Sequence, residues 1–258
     1  MIFRLDGSVE EVLALTPVIR EWKNISGDKI TVDVPYPELL AGNPSVHAIM
    51  DDMCEKDAVT DFNFVDWQKT TRAVCESYAE HLLGSVRLMN WRSEMYHSNA
   101  DDRKASDILP KRNNIAIVSL SSPVDGLMPS LEKMGYVVVF AGGACSHGLF
   151  RAMASKAALY VGDDDAKSAI ALTTDVPAVV CYTWRSPVYF APFRRGIPFE
   201  TVLPDNCCYA DSCLSANGWY EMGKTYGVKC IIEDRFACKK PKSLGRIMDA
   251  VEKIRRSI

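Results

Sequence analysis

The sequence lacks several features that would assign it to a class at once. No apolar run approaches the roughly 20 residues that a membrane-spanning helix needs. The first residues, MIFRLDGSVEEV, have neither the basic flank nor the long apolar core of a secretory signal. Lys and Arg total 30 and Asp and Glu total 33, a formal net charge of −3, which argues against a general polyanion-binding protein. We therefore expect a cytoplasmic protein.

Common nucleotide, metal and hydrolase motifs are also missing. The glycine spacing fits neither the GxGxxG dinucleotide fingerprint nor the GxxxxGK[ST] phosphate loop. None of the four histidines adjoins a serine or cysteine with a nucleophile signature. The nine cysteines include no CxxC pair, so buried or variably oxidised thiols are the default and a structural metal site is the alternative. Five of them cluster near the C-terminus: Cys207, Cys208, Cys213, Cys230 and Cys238.

Short apolar runs alternate with amphipathic segments along the chain. With 48% hydrophobic and 24% charged residues, the composition is that of a globular protein. The alternation predicts parallel sheets with crossover helices. A polar stretch at 92–113 interrupts it, which we interpret as a linker or loose helix. We predict two α/β domains, 1–105 and 114–258, with ligand bound in the cleft between them.

The first strand, turn and helix carry a candidate catalytic carboxylate. Asp6, Gly7 and Ser8 form a turn that leads into a helix beginning near Val9, and Glu10 and Glu11 lie in its first turn. A carboxylate at this position has the chemistry of a general base that takes a proton from an acceptor alcohol. The alternative is that both glutamates only complement the helix dipole.

A second polar turn follows the apolar run at 159–162. Asp163, Asp164 and Asp165 precede a short helix that contains Lys167 and Ser168. Two functional interpretations remain open. The carboxylates hold a divalent ion that bridges a diphosphate, or the helix start binds the diphosphate without metal. Simple capping by the aspartates is the alternative to both.

Two further segments have nucleotide-binding chemistry. The stretch 183–196 alternates arginines with aromatic residues, which suits stacking on a nucleobase, and Trp184 and Arg185 begin it. Ordinary packing of a proline-rich loop is equally consistent with it. Ser121 and Ser122 end the first strand of the second half, where phosphate-binding hydroxyls are common, although turn chemistry also explains them.

Taken together, these segments resemble glycosyltransferase family 9, the lipopolysaccharide heptosyltransferases. SVEEVLALTPVIREW is similar to the family's GDxLxxTPxxR, and KITVDVPYPELLAGNPSVHAIM to its second strand and following NP segment. VVVFAGG and ALYVGDDDAKSAIALTTDVPAVVCYTWRSPVYFAPF resemble the family's GG and DSG blocks. The resemblance covers most of the chain, with a first half shorter than usual.

The resemblance implies a GT-B fold, two Rossmann-like domains facing a cleft, with the terminal helix 242–258 packing back on the first domain. The implied reaction is inverting, metal-independent transfer of a sugar from a nucleotide diphosphate sugar to an acceptor hydroxyl, without a further cofactor. Glu11 falls on the position of the family's catalytic Asp, and Ala169 on that of its histidine. The acceptor side is implied for Asp6, Gly7, Ser8 and Glu10. The donor side is implied for Ser121, Ser122, Gly143, Asp164, Asp165, Lys167, Ser168, Trp184 and Arg185.

The resemblance also implies that the acceptor is a glycan. An alternative acceptor is a hydroxymethylated base in DNA, as in phage-type glycosyltransferases. A second alternative is a non-catalytic module that binds nucleotide sugars, because Ala169 lacks the imidazole of the family.

Overall fold

The computed structural model describes residues 1–50, 59–65, 73–85, 88–182, 197–203 and 242–258. The strands described in the first half form one parallel sheet in the order β3-β2-β1-β4. The central strand β1 pairs with both neighbours, so that Phe3 lies opposite Val32 on one side and Thr60 on the other. The strands are β1 (Ile2–Arg4), β2 (Thr31–Asp33), β3 (Ala48–Ile49) and β4 (Val59–Asp61).

The long helix α1 (Val9–Ser26) continues past a proline in its interior. Pro17 has no N–H to donate to the carbonyl oxygen of Leu13, which would cost the helix one hydrogen bond. The hydroxyl of Thr16 donates to that oxygen at 2.7 Å and replaces the missing bond. Gly27 caps the helix after Ser26, and its φ of 72° is the left-handed conformation that favours glycine. A second helix, α2 (Val74–Leu83), packs against α1.

The polar stretch 92–113 contains a regular helix, α3 (Asn99–Ile108), where the sequence suggested a linker or loose helix. Ser98 caps its start, since its side chain accepts a hydrogen bond from the N–H of Asp101, and the Asp101 carboxylate accepts from the N–H of Ser98. The helix spans position 105, which we predicted as the end of the first domain. Its buried contact is with α5 of the second half.

The second half contains a larger parallel sheet. The described strands lie in the order β6-β5-β7-β8-β9. β5 and β7 are buried at every position, as expected for central strands covered on both faces. The strands are β5 (Ile115–Ser119), β6 (Val137–Phe140), β7 (Leu159–Asp163), β8 (Ala178–Cys181) and β9 (Phe199–Val202). The helices are α4 (Leu127–Lys133), α5 (His147–Ser155), α6 (Ala166–Ala171) and α7 (Leu244–Ser257).

The terminal helix α7 packs on the second sheet, so the expectation that it packs back on the first domain is wrong. Its apolar stripe, which includes Ile247, Val251 and Ile254, is buried against side chains of β5, β7 and β8. The stripe has the spacing of one helix face. It covers the face of the second sheet on which α4 also lies, opposite the face that adjoins the first half.

One apolar cluster connects the two halves of the molecule. It extends from Phe3 in β1 through Val12 and Leu15 of α1 to Ile170 of α6 and Tyr160 of β7. Helices α1 and α6 are in direct contact. The two sheets therefore share a continuous core. No described helix is both long and apolar enough to cross a membrane.

The shared core predicts that the two halves unfold together. Ile170 is fully buried in the cluster, so Ile170→Ala should lower the free energy of unfolding by about 2–5 kcal/mol. Denaturant unfolding followed by circular dichroism and by tryptophan fluorescence should show one coincident transition. The control is Ile25→Ala in α1, where the side chain is 66% exposed and the expected change is within about 0.5 kcal/mol. Two separated transitions would contradict the shared core.

Candidate functional site

The topology of each sheet places a crevice at the carboxyl ends of its strands. The chain leaves β1 first toward β2 and β3 and later returns on the other side as β4, and β5 stands in the same relation to β6 and β7. Such switch points are where open parallel sheets bind ligands. A hydrogen bond crosses each of them. The N–H of Asp6 donates to Asn63 Oδ1 at 2.6 Å, and the N–H of Ser121 donates to Asp163 Oδ2 at 2.7 Å.

A complete capping box forms the start of α1. The N–H of Glu11 donates to Ser8 Oγ at 3.4 Å, and the N–H of Ser8 donates to Glu11 Oε2 at 2.8 Å. Gly7 leaves room for this arrangement, because a Cβ at that position would lie 3.1 Å from Glu11 Oε2. The candidate base is thus held at the helix start, where the dipole favours a negative charge.

Glu10 lies on the side of α1 that faces the second half. It is only 8% exposed. Burial raises the pKa of Asp165 at the start of α6, and the charges of Asp163 and Glu10 raise it further. Because α1 and α6 are also in contact, the start of α1 lies near the start of α6.

The turn between β7 and α6 is held mainly by its own side chains. Asp165 is the N-cap, and its Oδ1 accepts from the N–H of Ser168 at 3.0 Å. The Ser168 hydroxyl donates to the carbonyl of Asp163 and lies 3.0 Å from the hydroxyl of the buried Tyr160. Ser168 is itself buried. In this conformation Ser168 supports the turn from within.

Lys167 fastens the neighbouring loop between β6 and α5. Its ammonium group donates to the carbonyl oxygens of Ala141 at 2.5 Å and Gly143 at 3.1 Å. Gly143, a predicted donor residue, is therefore held at the same edge of the sheet as Asp165. Ser122 is exposed directly after Ser121 on the adjoining loop. The structure thus brings the described members of the predicted donor set to one edge.

Two features at this edge escaped the sequence analysis. Lys242 pairs with the Oδ1 atom of Asp163, and both side chains are nearly buried. His147, at the start of α5, pairs with Glu38 of the first half at 2.7 Å between Nδ1 and Oε1, beside the ring of Tyr36. Each pair joins residues far apart in the chain, and no local pattern signals either of them.

No group of three or more His, Cys, Asp or Glu side chains in the described part of the chain is placed to hold a metal ion. The aromatic and arginine candidates Trp184 and Arg185 lie outside the described residues. So do the clustered cysteines at 207–238.

Two parallel α/β halves with facing switch points make up the GT-B architecture, and solved structures of glycosyltransferases share the fold. A glycosyl transferase family 9 structure from Veillonella parvula DSM 2008 has a TM-score of 0.70 at 14% identity, covering 98% of this chain and 96% of that one. The ADP-heptose lipopolysaccharide heptosyltransferase II of E. coli has a TM-score of 0.63 at 11% identity, with 98% of each chain covered.

A third similar structure is that of TibC, described as a dodecameric iron-containing heptosyltransferase in complex with ADP-D-beta-D-heptose. Its TM-score is 0.69 at 14% identity, covering 99% of this chain and 77% of TibC. No family model and no curated protein matches the sequence. The similarity confirms the predicted GT-B-like α/β fold, and the resemblance to glycosyltransferase family 9 holds at the level of the fold.

The raised pKa of Asp165 predicts a pH-dependent effect of its substitution. The folded protein binds this proton more tightly than the unfolded chain does. The free energy of unfolding therefore falls as the pH rises above the ordinary pKa of an aspartate. Asp165→Asn removes the charge and keeps an oxygen cap, so its free energy of unfolding at neutral pH should exceed that of the wild type. The difference should disappear as the pH falls below about 3.9.

Urea unfolding at a series of pH values measures this effect. Asp107→Asn, at an exposed position of α3, is the control and should behave as the wild type throughout. A loss of stability in Asp165→Asn at neutral pH would show that the cap outweighs the buried charge.

Proposed function

We propose that the protein is an inverting, metal-independent glycosyltransferase that moves a sugar from a nucleotide diphosphate sugar to an acceptor hydroxyl. The observation that carries the proposal is the approach of the carboxylate-bearing start of α1 to the α6 turn at the facing switch points. A transferase of this kind needs a base on the acceptor side and a leaving-group site on the donor side, and these are the two turns that meet.

In the proposed reaction, the carboxylate of Glu11 takes the proton of the acceptor hydroxyl. The acceptor oxygen forms a bond to the anomeric carbon as the bond from that carbon to the diphosphate oxygen breaks. The nucleoside diphosphate leaves with the bonding electron pair, and the anomeric configuration is inverted. The Ser8 N–H orients the base through Glu11 Oε2. The donor side comprises the β5–α4 loop, the β6–α5 loop and the β7–α6 turn.

The proposed donor class is supported by what similar solved structures bind. TibC is described in complex with ADP-D-beta-D-heptose, and the E. coli heptosyltransferase WaaC with ADP and with ADP-2-deoxy-2-fluoro heptose. We therefore propose a nucleotide diphosphate sugar as co-substrate, with a glycan as acceptor. Cys75, Cys145 and Cys181 are free thiols. Such thiols suit the reducing cytoplasm, which is where we place the reaction.

Glu11→Gln tests the base directly. A general base contributes about 10²- to 10⁴-fold, so kcat should fall by that factor while the KM for the donor changes little. Glu11→Asp keeps the carboxylate and should retain part of the rate. The assay measures nucleoside diphosphate release in a screen of nucleotide sugars with glycan acceptors. Glu10→Gln, tested in parallel, shows whether the neighbouring carboxylate acts instead.

The same screen, repeated with hydroxymethylated DNA as acceptor, separates the alternatives. Nucleotide sugar binding without transfer or hydrolysis, which would agree with the alanine at position 169, would identify a binding module. Transfer to hydroxymethylated DNA in place of a glycan would identify the DNA-modifying alternative. Full activity of Glu11→Gln would refute the assignment of the base.

Metal independence has its own test. Because the proposed reaction holds the diphosphate with groups of the protein itself, EDTA in excess should leave the transfer rate within about twofold of its value. Added Mg²⁺ or Mn²⁺ should not raise that rate, since no step requires a Lewis acid. Loss of activity on chelation, with recovery on adding one divalent ion, would favour the metal-bridged interpretation of the aspartates.

A further inference from the structure

The turn that is proposed to hold the donor is rich in negative charge. Asp163, Asp164 and Asp165 follow one another there, and the charge of Glu10 reaches it from the first half. A diphosphate brings further negative charge. Like charges in a partly buried crevice repel strongly, so a cation has to lie close to the diphosphate if it is to bind.

Lys167, the lysine in the sequence motif, already has hydrogen-bond partners in the structure. The ammonium group of Lys167 donates to two backbone carbonyls, those of Ala141 and Gly143. It fixes the β6–α5 loop, and leaving those carbonyls would release that loop. Lys167 therefore serves best as a structural tie.

Lys242 lies at the crevice itself. It pairs with Oδ1 of Asp163, while Oδ2 of the same carboxylate accepts from the N–H and the hydroxyl of Ser121. Ser121 and Asp163 are the residues that face each other across the switch point of β5 and β7. Both ion-pair side chains are nearly buried, at 13% and 7% exposure.

The charges of this ion pair also act on the neighbouring thiol of Cys181. Burial raises the pKa of Cys181, at the end of β8, to about 12, and the charge of Asp163 adds to this while that of Lys242 opposes it. The ammonium group is thus close enough to the carboxyl ends of β7 and β8 to act on groups there.

We propose that Lys242 is a donor-binding residue whose ammonium group contacts the diphosphate of the nucleotide, oriented by Asp163. This inference rests on the proposed function and adds the cation that the donor site requires. An ammonium group has three N–H donors, and the ion pair with Asp163 occupies at most one of them, which leaves donors for phosphate oxygens. Asp163 holds the lysine in place, as a supporting partner orients a ligand-binding group.

Calorimetric titration of Lys242→Met tests the inference without relying on turnover. The probes are ADP, UDP and GDP, and then the monophosphate and the nucleoside of whichever binds best. Loss of a charge-assisted contact should weaken diphosphate binding by about tenfold to hundredfold. Monophosphate binding should weaken less, and nucleoside binding should not change.

The control is Lys253→Met in helix α7, which follows Lys242 in the chain; its side chain is 67% exposed and pairs with Glu200. It should bind all probes as the wild type does. Because Lys242→Met leaves the Asp163 charge buried without its cation, Asp163→Asn/Lys242→Met serves as a folded, neutral version of the pair. This double variant should show the same selective loss of diphosphate affinity.

Wild-type diphosphate affinity in either Lys242 variant, or an equal loss for nucleoside and diphosphate, would overturn the inference while leaving the proposed function in place. Failure of the wild-type protein to bind any of the three diphosphates would overturn both. If the variants keep transferase activity and show no selective loss of diphosphate affinity, the proposed function stands and the role of Lys242 is refuted.

Discussion

The apolar packing of α1 against α6 holds the two sheets together and determines what can lie between them. Each helix follows the first or third strand of its own sheet, so each begins at a carboxyl edge. Because their sides are packed together, their starts lie near one another, with Glu10 close enough to affect Asp165. A transferase of this architecture needs its two ligand sites at a short and constant separation, and the shared core of the described residues supplies it.

The parts of the fold that depend on local pattern were predictable from the sequence. Apolar runs such as those of β5 and β7 predicted parallel strands, and the position of Ser8 before an amphipathic stretch predicted the helix that begins at Val9. The polar composition of 92–113 concealed α3, because that helix is stabilised by its cap and by packing on α5. The partner of α7 was also mispredicted, since an amphipathic stripe does not specify which sheet it covers.

The same distinction holds for the candidate site, where local features could be predicted and long-range contacts could not. Local motifs placed Glu11 and Asp165 at helix starts, where the structure also has them. The Lys242–Asp163 and His147–Glu38 pairs join residues separated by 79 and 109 positions. A basic residue in the C-terminal part of the chain resembles any solvated lysine until the fold brings it to its carboxylate. For this reason the acidic turn at Asp163–Asp165 could be predicted from the sequence, whereas its ion pair with Lys242 could not.

The longer side chain at the base position is explained by its surroundings more than by the cap. In α3 an aspartate, Asp101, closes the same box with Ser98, so a capping box in this chain does not require glutamate. At α1 the extra methylene of Glu11 brings its carboxylate over the turn, and Cδ lies 3.3 Å from where a Cβ on Gly7 would be. The position of the Glu11 carboxylate therefore depends on having glycine at position 7. A side chain at position 7 would displace the carboxylate from its hydrogen bond with the Ser8 N–H.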